Sequence, residues 1–352
     1  MRTLLRRSVV LLAIIVCSLA ITKAQEPSPG LNFIAWLSPK LDKIVPHDAK
    51  MEKMAGGFGF LEGPVWVRKG GYLLFSDIPA NVIYKFTPYD QKASVFLRYS
   101  GWTGTDSDHA GMQLNDGKGV VTLLGSNAVT IDPQGMVVYC AHGDHQIVRL
   151  EPDGRRTVLA SEYEGKRLNS PNDLVYKSDG ALYFTDPPAG FRDGAKDTAK
   201  QLPFNGVYLF KDGHLQLLTK DLTMPNGIAF SPDEKYLYVN DTVKKIIMRY
   251  DVQPDDTIAN GKVLVDMTAD KAPGAPDGMK IDQEGNIYCA GPGGFWIMSP
   301  DGEHIGTVLT PELPANMAFG DADLKTLYLT ARTGLYRIRL KIPGILPPGD
   351  RE

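Results

Sequence analysis

Six short phrases recur along the chain, and most open on a side chain that can offer oxygen to a hard cation. They are Glu62-Gly-Pro-Val-Trp66, Asn127-Ala-Val-Thr-Ile131, Asn172-Asp-Leu-Val-Tyr176, Asn226-Gly-Ile-Ala-Phe230, Asp277-Gly-Met-Lys-Ile281 and Ala315-Asn-Met-Ala-Phe319. In register, the openers are Glu62, Asn127, Asn172, Asn226, Asp277 and Ala315. Two carboxylates with amide oxygens suit Ca²⁺ or Mg²⁺, and Mn²⁺ or Zn²⁺ can use such a set. No His or Cys stands at these positions, which argues against a dedicated zinc site. Without a cation, two carboxylates at close quarters repel until one holds a proton. Asn and Asp also open strands simply because they make Asx turns. That explanation suffices for any one of them but not for all in one register, and Glu62 has no turn to make. Gly63, Gly227 and Gly278 follow three openers and fit a backbone passing close to a ligand.

The elements that must position these residues are strands. Each phrase begins an apolar run, and a turn leads to a second run such as Tyr72-Leu-Leu-Phe-Ser-Asp77, Leu182-Tyr-Phe-Thr-Asp186 or Leu237-Tyr-Val-Asn-Asp241. Third runs follow, among them Val82-Ile-Tyr-Lys-Phe86 and Ile246-Ile-Met-Arg-Tyr250. Asp179-Gly180, Asp212-Gly213, Glu284-Gly285 and Asp301-Gly302 supply turn chemistry between them. Repeats of roughly 40 to 65 residues with about four strands each are the mark of a β-propeller. The predicted fold is therefore all-β, a six-bladed β-propeller with four-stranded blades over residues 50–342. Residues near Lys50 to Met54 are expected to complete the last blade, since rings of this kind close by borrowing a strand. Residues 25–49 read as a leader segment and 343–352 as a C-terminal tail forming at most an ordered edge. Two stretches, 99–125 and 188–205, interrupt the strand texture, and loops of that length tend to carry function or disorder.

Composition narrows the choices. Of 352 residues 43% are hydrophobic, and 36 Gly with 25 Pro favour turns over helix. A net charge of −3 and no basic patch exclude nucleic acid as the main partner. Arg2, Arg6 and Arg7 precede an apolar run from Val9 to Ile21, and Thr22-Lys23-Ala24 offers a cleavage site, so residues 1–24 read as a signal peptide. The mature protein is expected to begin near Gln25, to be secreted or periplasmic, and to keep no membrane attachment. Cleavage removes Cys17, and Cys140 and Cys289 lie inside strand patterns where buried free thiols are expected. There is no G-x-S-x-G elbow, H-E-x-x-H or P-loop. Asp106-x-Asp108 starts like a calcium-binding EF-hand loop but meets Gly117 where that loop needs Glu. Asn240-Asp-Thr242 matches a glycosylation sequon.

Several segments in order resemble the SMP-30/gluconolactonase/LRE family: Leu61-Glu-Gly-Pro-Val-Trp66, Arg167-Leu-Asn-Ser-Pro-Asn-Asp173, Tyr183-Phe-Thr-Asp-Pro187, Met224-Pro-Asn-Gly-Ile-Ala-Phe230, Pro276-Asp-Gly-Met279 and Ala331-Arg-Thr-Gly-Leu-Tyr336. The resemblance spans about residues 50 to 340. It implies a six-bladed propeller with one divalent cation in the central channel, Ca²⁺ first, with Zn²⁺, Mg²⁺ or Mn²⁺ as alternatives. It places the metal on Glu62, Asn172, Asn226 and Asp277, and makes Arg167 a substrate contact. Asn127, in the same register, becomes a looser ligand, a water holder or a substrate contact. His142 and His145 are candidate aids to proton transfer near the rim, His142 beside substrate. Asp277 is the expected general base toward water in opening a small-molecule lactone such as gluconolactone. An esterase or phosphotriesterase on the same scaffold, and a non-catalytic binding propeller, are the alternatives. The chain departs from the family at Ala189, where an aromatic is usual, and around Cys140-Ala-His-Gly-Asp-His145. Both places should rim the substrate pocket.

Overall fold

The computed structural model describes residues 33–104, 109–115 and 119–350. The proposed signal peptide lies outside these residues. Six antiparallel sheets account for nearly all of the strands. Blade 1 runs Leu61–Val67, Tyr72–Asp77, Val82–Thr87 and Lys92–Arg98, each strand pairing with the next. Blades 2 to 5 repeat that order, with first strands Val129–Ile131, Leu174–Tyr176, Pro225–Phe230 and Met279–Ile281. Blade 6 takes Pro314–Gly320, Thr326–Ala331 and Gly334–Arg339, and its outermost strand, Glu52–Gly56, comes from the other end of the chain. That is the closure expected near Lys50 to Met54. The first strand of each blade packs on the first strand of the next, and the sixth packs on the first. The sheets thus form a closed six-bladed propeller with the openers nearest the axis.

A blade is buried on both faces, so its second strands read as continuous apolar runs rather than alternating ones. Six of the seven apolar cores lie between adjacent blades; one joins Leu74, Ile83, Val129 and Tyr139 of blades 1 and 2. Tyr139, Tyr183, Tyr208, Tyr288 and Tyr328 are fully buried there. Cys140 and Cys289 are buried and unpaired. Asn240 is fully buried, its amide committed to the Asp277 carbonyl, so the sequon offers no exposed acceptor.

Both ends of the described stretch are built into the ring. Ile34–Trp36 adds a fifth strand to blade 5, and Leu41, Ile44 and Val45 sink into the core between blades 5 and 6. The tail crosses the mouth of the channel opposite the openers. Gly344 pairs with Asp282 of blade 5 and donates to Leu324 O of blade 6 (2.9 Å), while Gly349 rests on Asp132 of blade 2. Leu346 is buried and lines a channel cavity of about 100 Å³ with Val65, Val129, Leu174, Ile228 and Ile281.

Candidate active site

In blades 1, 3 and 4 a repeated local arrangement sets the height of the opener, at Glu62, Asn172 and Asn226. The carboxylate ending a second strand accepts from the two backbone N–H groups that precede the opener by three and two residues. Asp77 takes Gly59 and Phe60 (3.0 and 3.2 Å), Asp186 takes Asn169 and Ser170 (2.8 and 2.7 Å), and Asp241 takes Thr223 and Met224 (2.6 and 3.3 Å). The residue before that Asp reaches sideways to the next blade. Ser76 donates to Asn127 O (2.7 Å), Thr185 to Asn226 O (2.8 Å) and Asn240 to Asp277 O (2.5 Å). The remaining joints use Ala128 N–H to Asn172 O (3.0 Å), Gly278 N–H to Ala315 O (2.8 Å) and Asn316 Nδ2 to Glu62 Oε2 (3.1 Å). A belt of hydrogen bonds therefore circles the axis, and it carries every opener.

The glycines after the openers have a different cause from the one the sequence suggests. A Cβ on Gly63 would stand 2.2 Å from Ala128 Cα, and one on Gly227 2.2 Å from Asp277 O. They let neighbouring inner strands touch each other, rather than a ligand. At Gly278 the vacated space holds the Asn316 side chain, 2.0 Å from where a Cβ would be.

Glu62, Asn127, Asn172 and Asn226 are buried and Asp277 is partly so. Burial pushes the Glu62 carboxyl up to about 7; Asp173 adds to the rise, while Gly63 N–H, Asn316 and Lys280 oppose it. Asp277 is raised well above the ordinary carboxylate value, by burial first and then by Glu62, with Asn226 hydrogen bonding against the rise. The two carboxylates therefore feel one another across the channel. Asn127 Oδ1 and Asp173 Oδ2 are buried without a hydrogen-bond partner. An unpartnered amide oxygen in register with a buried and a partly buried carboxylate is a set that fits a hard cation. Among the described residues no three His, Cys, Asp or Glu side chains cluster as a metal site, so the amides must contribute.

The other candidates fall on the rim of blades 2 and 3. There the two long loops meet. Gly111 N–H bonds Gly190 O (2.7 Å), Met112 N–H bonds Ala189 O (3.2 Å), and His109 Nδ1 lies 2.8 Å from Asp197 Oδ1. Arg167 is partly engaged with that lobe through Nη2 to Ala199 O (3.1 Å), and its guanidinium sits 5.6 Å from the Phe191 ring centre. His142 and His145 are buried rather than exposed on the rim. His142 Nδ1 lies 3.2 Å from Pro171 O, and its Nε2 has no hydrogen-bond partner. His145 bonds Asn169 O and stacks on Phe191 at 4.6 Å. Phe191 thus supplies an aromatic ring close to where Ala189 lacks one.

Sequence reasoning gave no role to Asn316, Asp173, Lys280 or Arg332. Asn316 donates to Glu62 and accepts from Lys280 Nζ (3.4 Å), which lies 3.8 Å from Asp173 Oδ2. The usable signal was small: wherever an opener is followed by Gly, a neighbour can fill the space, and Asn316 fills that over Gly278.

The SMP-30/Gluconolactonase/LRE-like region model matches residues 60–333. The chain belongs to this family. Among its family relatives, a gluconolactonase of Zymomonas mobilis is 37% identical over 321 residues, covering 88% of this chain and 87% of that protein. A gluconolactonase structure from Xanthomonas campestris superposes with a TM-score of 0.73 at 28% identity, covering 87% of this chain and 94% of that one. Regucalcin of Agrobacterium tumefaciens, a calcium-binding protein, shares the fold at 20% identity with a TM-score of 0.66, over 85% and 96% of the two chains.

Proposed function

We propose that this protein is a lactonase that hydrolyses sugar lactones at the opener end of the channel, with one divalent cation held there. Glu62, Asn172, Asn226 and Asp277 would hold the cation, with Asn127 beside them and Ca²⁺ first among the candidates. When bound, such an ion supplies Lewis acidity toward an ester carbonyl. The observation that carries this reading is the belt that seats both Glu62 and Asp277 among the openers, with a buried Asn127 oxygen that no protein group satisfies. The Zymomonas relative supports the substrate class.

The chain's own residues account for the proton traffic. Asp277, kept in place by Asn226, takes a proton from the attacking water as the water oxygen bonds to the lactone carbonyl carbon. The ring C–O bond then breaks, and Asp277 returns the proton to the departing ring oxygen. The products are a hydroxyl, a carboxylate and one released proton. Arg167, whose Nε is buried without a partner, is placed to orient substrate hydroxyls.

Turnover of glucono-δ-lactone in a pH-stat tests this. Activity should vanish in EDTA and return with Ca²⁺. Asp277→Asn should lower kcat by roughly 10² to 10⁴ with the melting transition kept, and Asn127→Ala should lower it less. Undiminished hydrolysis in EDTA would overturn the cation's role, and equal losses in the two variants would overturn the ranking of ligands.

We further propose export, on the basic and apolar pattern of residues 1–24. The amino terminus of the mature protein should then begin near Gln25. No helix among the described residues is long and apolar enough to cross a membrane.

A further inference from the structure

Arg332 stands just after the second strand of blade 6, and three observations set it apart. Its backbone is left-handed at φ 47°, a conformation that non-glycine residues hold only where the surroundings enforce it. The enforcement is visible: its carbonyl accepts from Leu61 N–H (2.8 Å), next to Glu62, and its guanidinium lies 4.7 Å from the Phe60 ring centre. Phe60 is itself buried and held by Asp77. Nη1 of Arg332 is buried with no hydrogen-bond partner. A guanidinium donor left unpaired in a buried place is costly unless something else accepts from it.

Resting on the lactonase reading, we propose that Arg332 is the docking point for the carboxylate of the opened product, a polyhydroxy acid. Hydrolysis adds water across the ester bond, so a neutral ring enters and an anion must be held and released. A guanidinium matches a carboxylate through paired N–H donors. Arg167 sits on the loop lobe of blades 2 and 3, with Nη2 bonded to Ala199 O, and is assigned to the substrate hydroxyls instead. The consequence is product inhibition, with Arg332 discriminating the acid from a neutral polyol.

Calorimetric titration with sodium gluconate and with neutral glucitol tests the assignment, in Ca²⁺ and again in EDTA. Arg332→Asn is the variant of choice, since Asn tolerates left-handed backbone and should keep the fold. Gluconate binding should weaken by roughly tenfold to a hundredfold, glucitol binding should stay unchanged, and Arg332→Lys should recover part of the loss. Wild type that does not bind gluconate, a variant that binds it as tightly as wild type, or equal losses for acid and polyol would each overturn the proposal. Lactone turnover by the wild type is read separately. A wild type that opens no lactone but binds gluconate through Arg332 would sink the parent reading alone.

Discussion

At the scale of residues, the buried histidines carry a measurable cost. Burial, and then the charge of Arg167, lowers the His145 pKa from 6.5 to about 4. In the unfolded chain the ring takes its proton near 6.5, so between there and about 4 the unfolded state binds the extra proton. Stability therefore falls as pH drops through that window, by on the order of 3 kcal/mol at its lower end. His142 shifts the same way, also through burial. Urea melts at pH 7 and pH 4.5 should show His145→Gln losing less stability on acidification than wild type. An equal loss would place the acid sensitivity elsewhere. This part of the site was not legible in the sequence, which put both rings on the exposed rim. Their burial comes from Phe191 and the 188–205 loop, whose return over blade 2 is a tertiary event.

Single strands and turns position the openers through a division of labour. In blades 1, 3 and 4 the Asp that ends the second strand fixes the height of that blade's opener, and the Ser, Thr or Asn before it fixes the opener of the next blade. The recurring Ser-Asp, Thr-Asp and Asn-Asp pairs were plain in the sequence, but only as strand ends. Their work is sideways, between blades far apart in sequence, so spacing alone cannot reveal it. Gly278 tests the arrangement. Gly278→Ala would drive a methyl into Asn316, costing about 1–3 kcal/mol if the strand yields, and would pull Asn316 from Glu62. The expected result is a lowered melting temperature with weakened Ca²⁺ binding by titration. If Ca²⁺ affinity stays at the wild-type level, Asn316 has no share in holding Glu62.

At the largest scale, the described residues form a ring with one end closed. Six blades meeting at the axis leave a channel, and the tail blocks the mouth opposite the openers with Leu346 facing the cavity. In the proposed mechanism, substrate and product therefore enter and leave at the opener end. Deleting residues 343–352 should cost roughly 2–4 kcal/mol, mostly from exposing Leu346 and its neighbours. A dye that fluoresces on apolar surfaces should bind the shortened chain and not the full one. Unchanged melting and no dye binding would mean that the tail does not seal the channel.

The sequence by itself determined the six repeats, the strand that closes the ring and the register of the openers. These follow from local periodicity and turn chemistry, which neighbouring residues set among themselves. Only the tertiary structure decided how the repeats serve one another. It brought Asn316 onto Glu62, Arg332 beside Phe60, two distant loops into one lobe and the tail across the channel. Those pairings join residues from different blades, and such partners are fixed by how the sheets curl and close, which no stretch of chain records on its own.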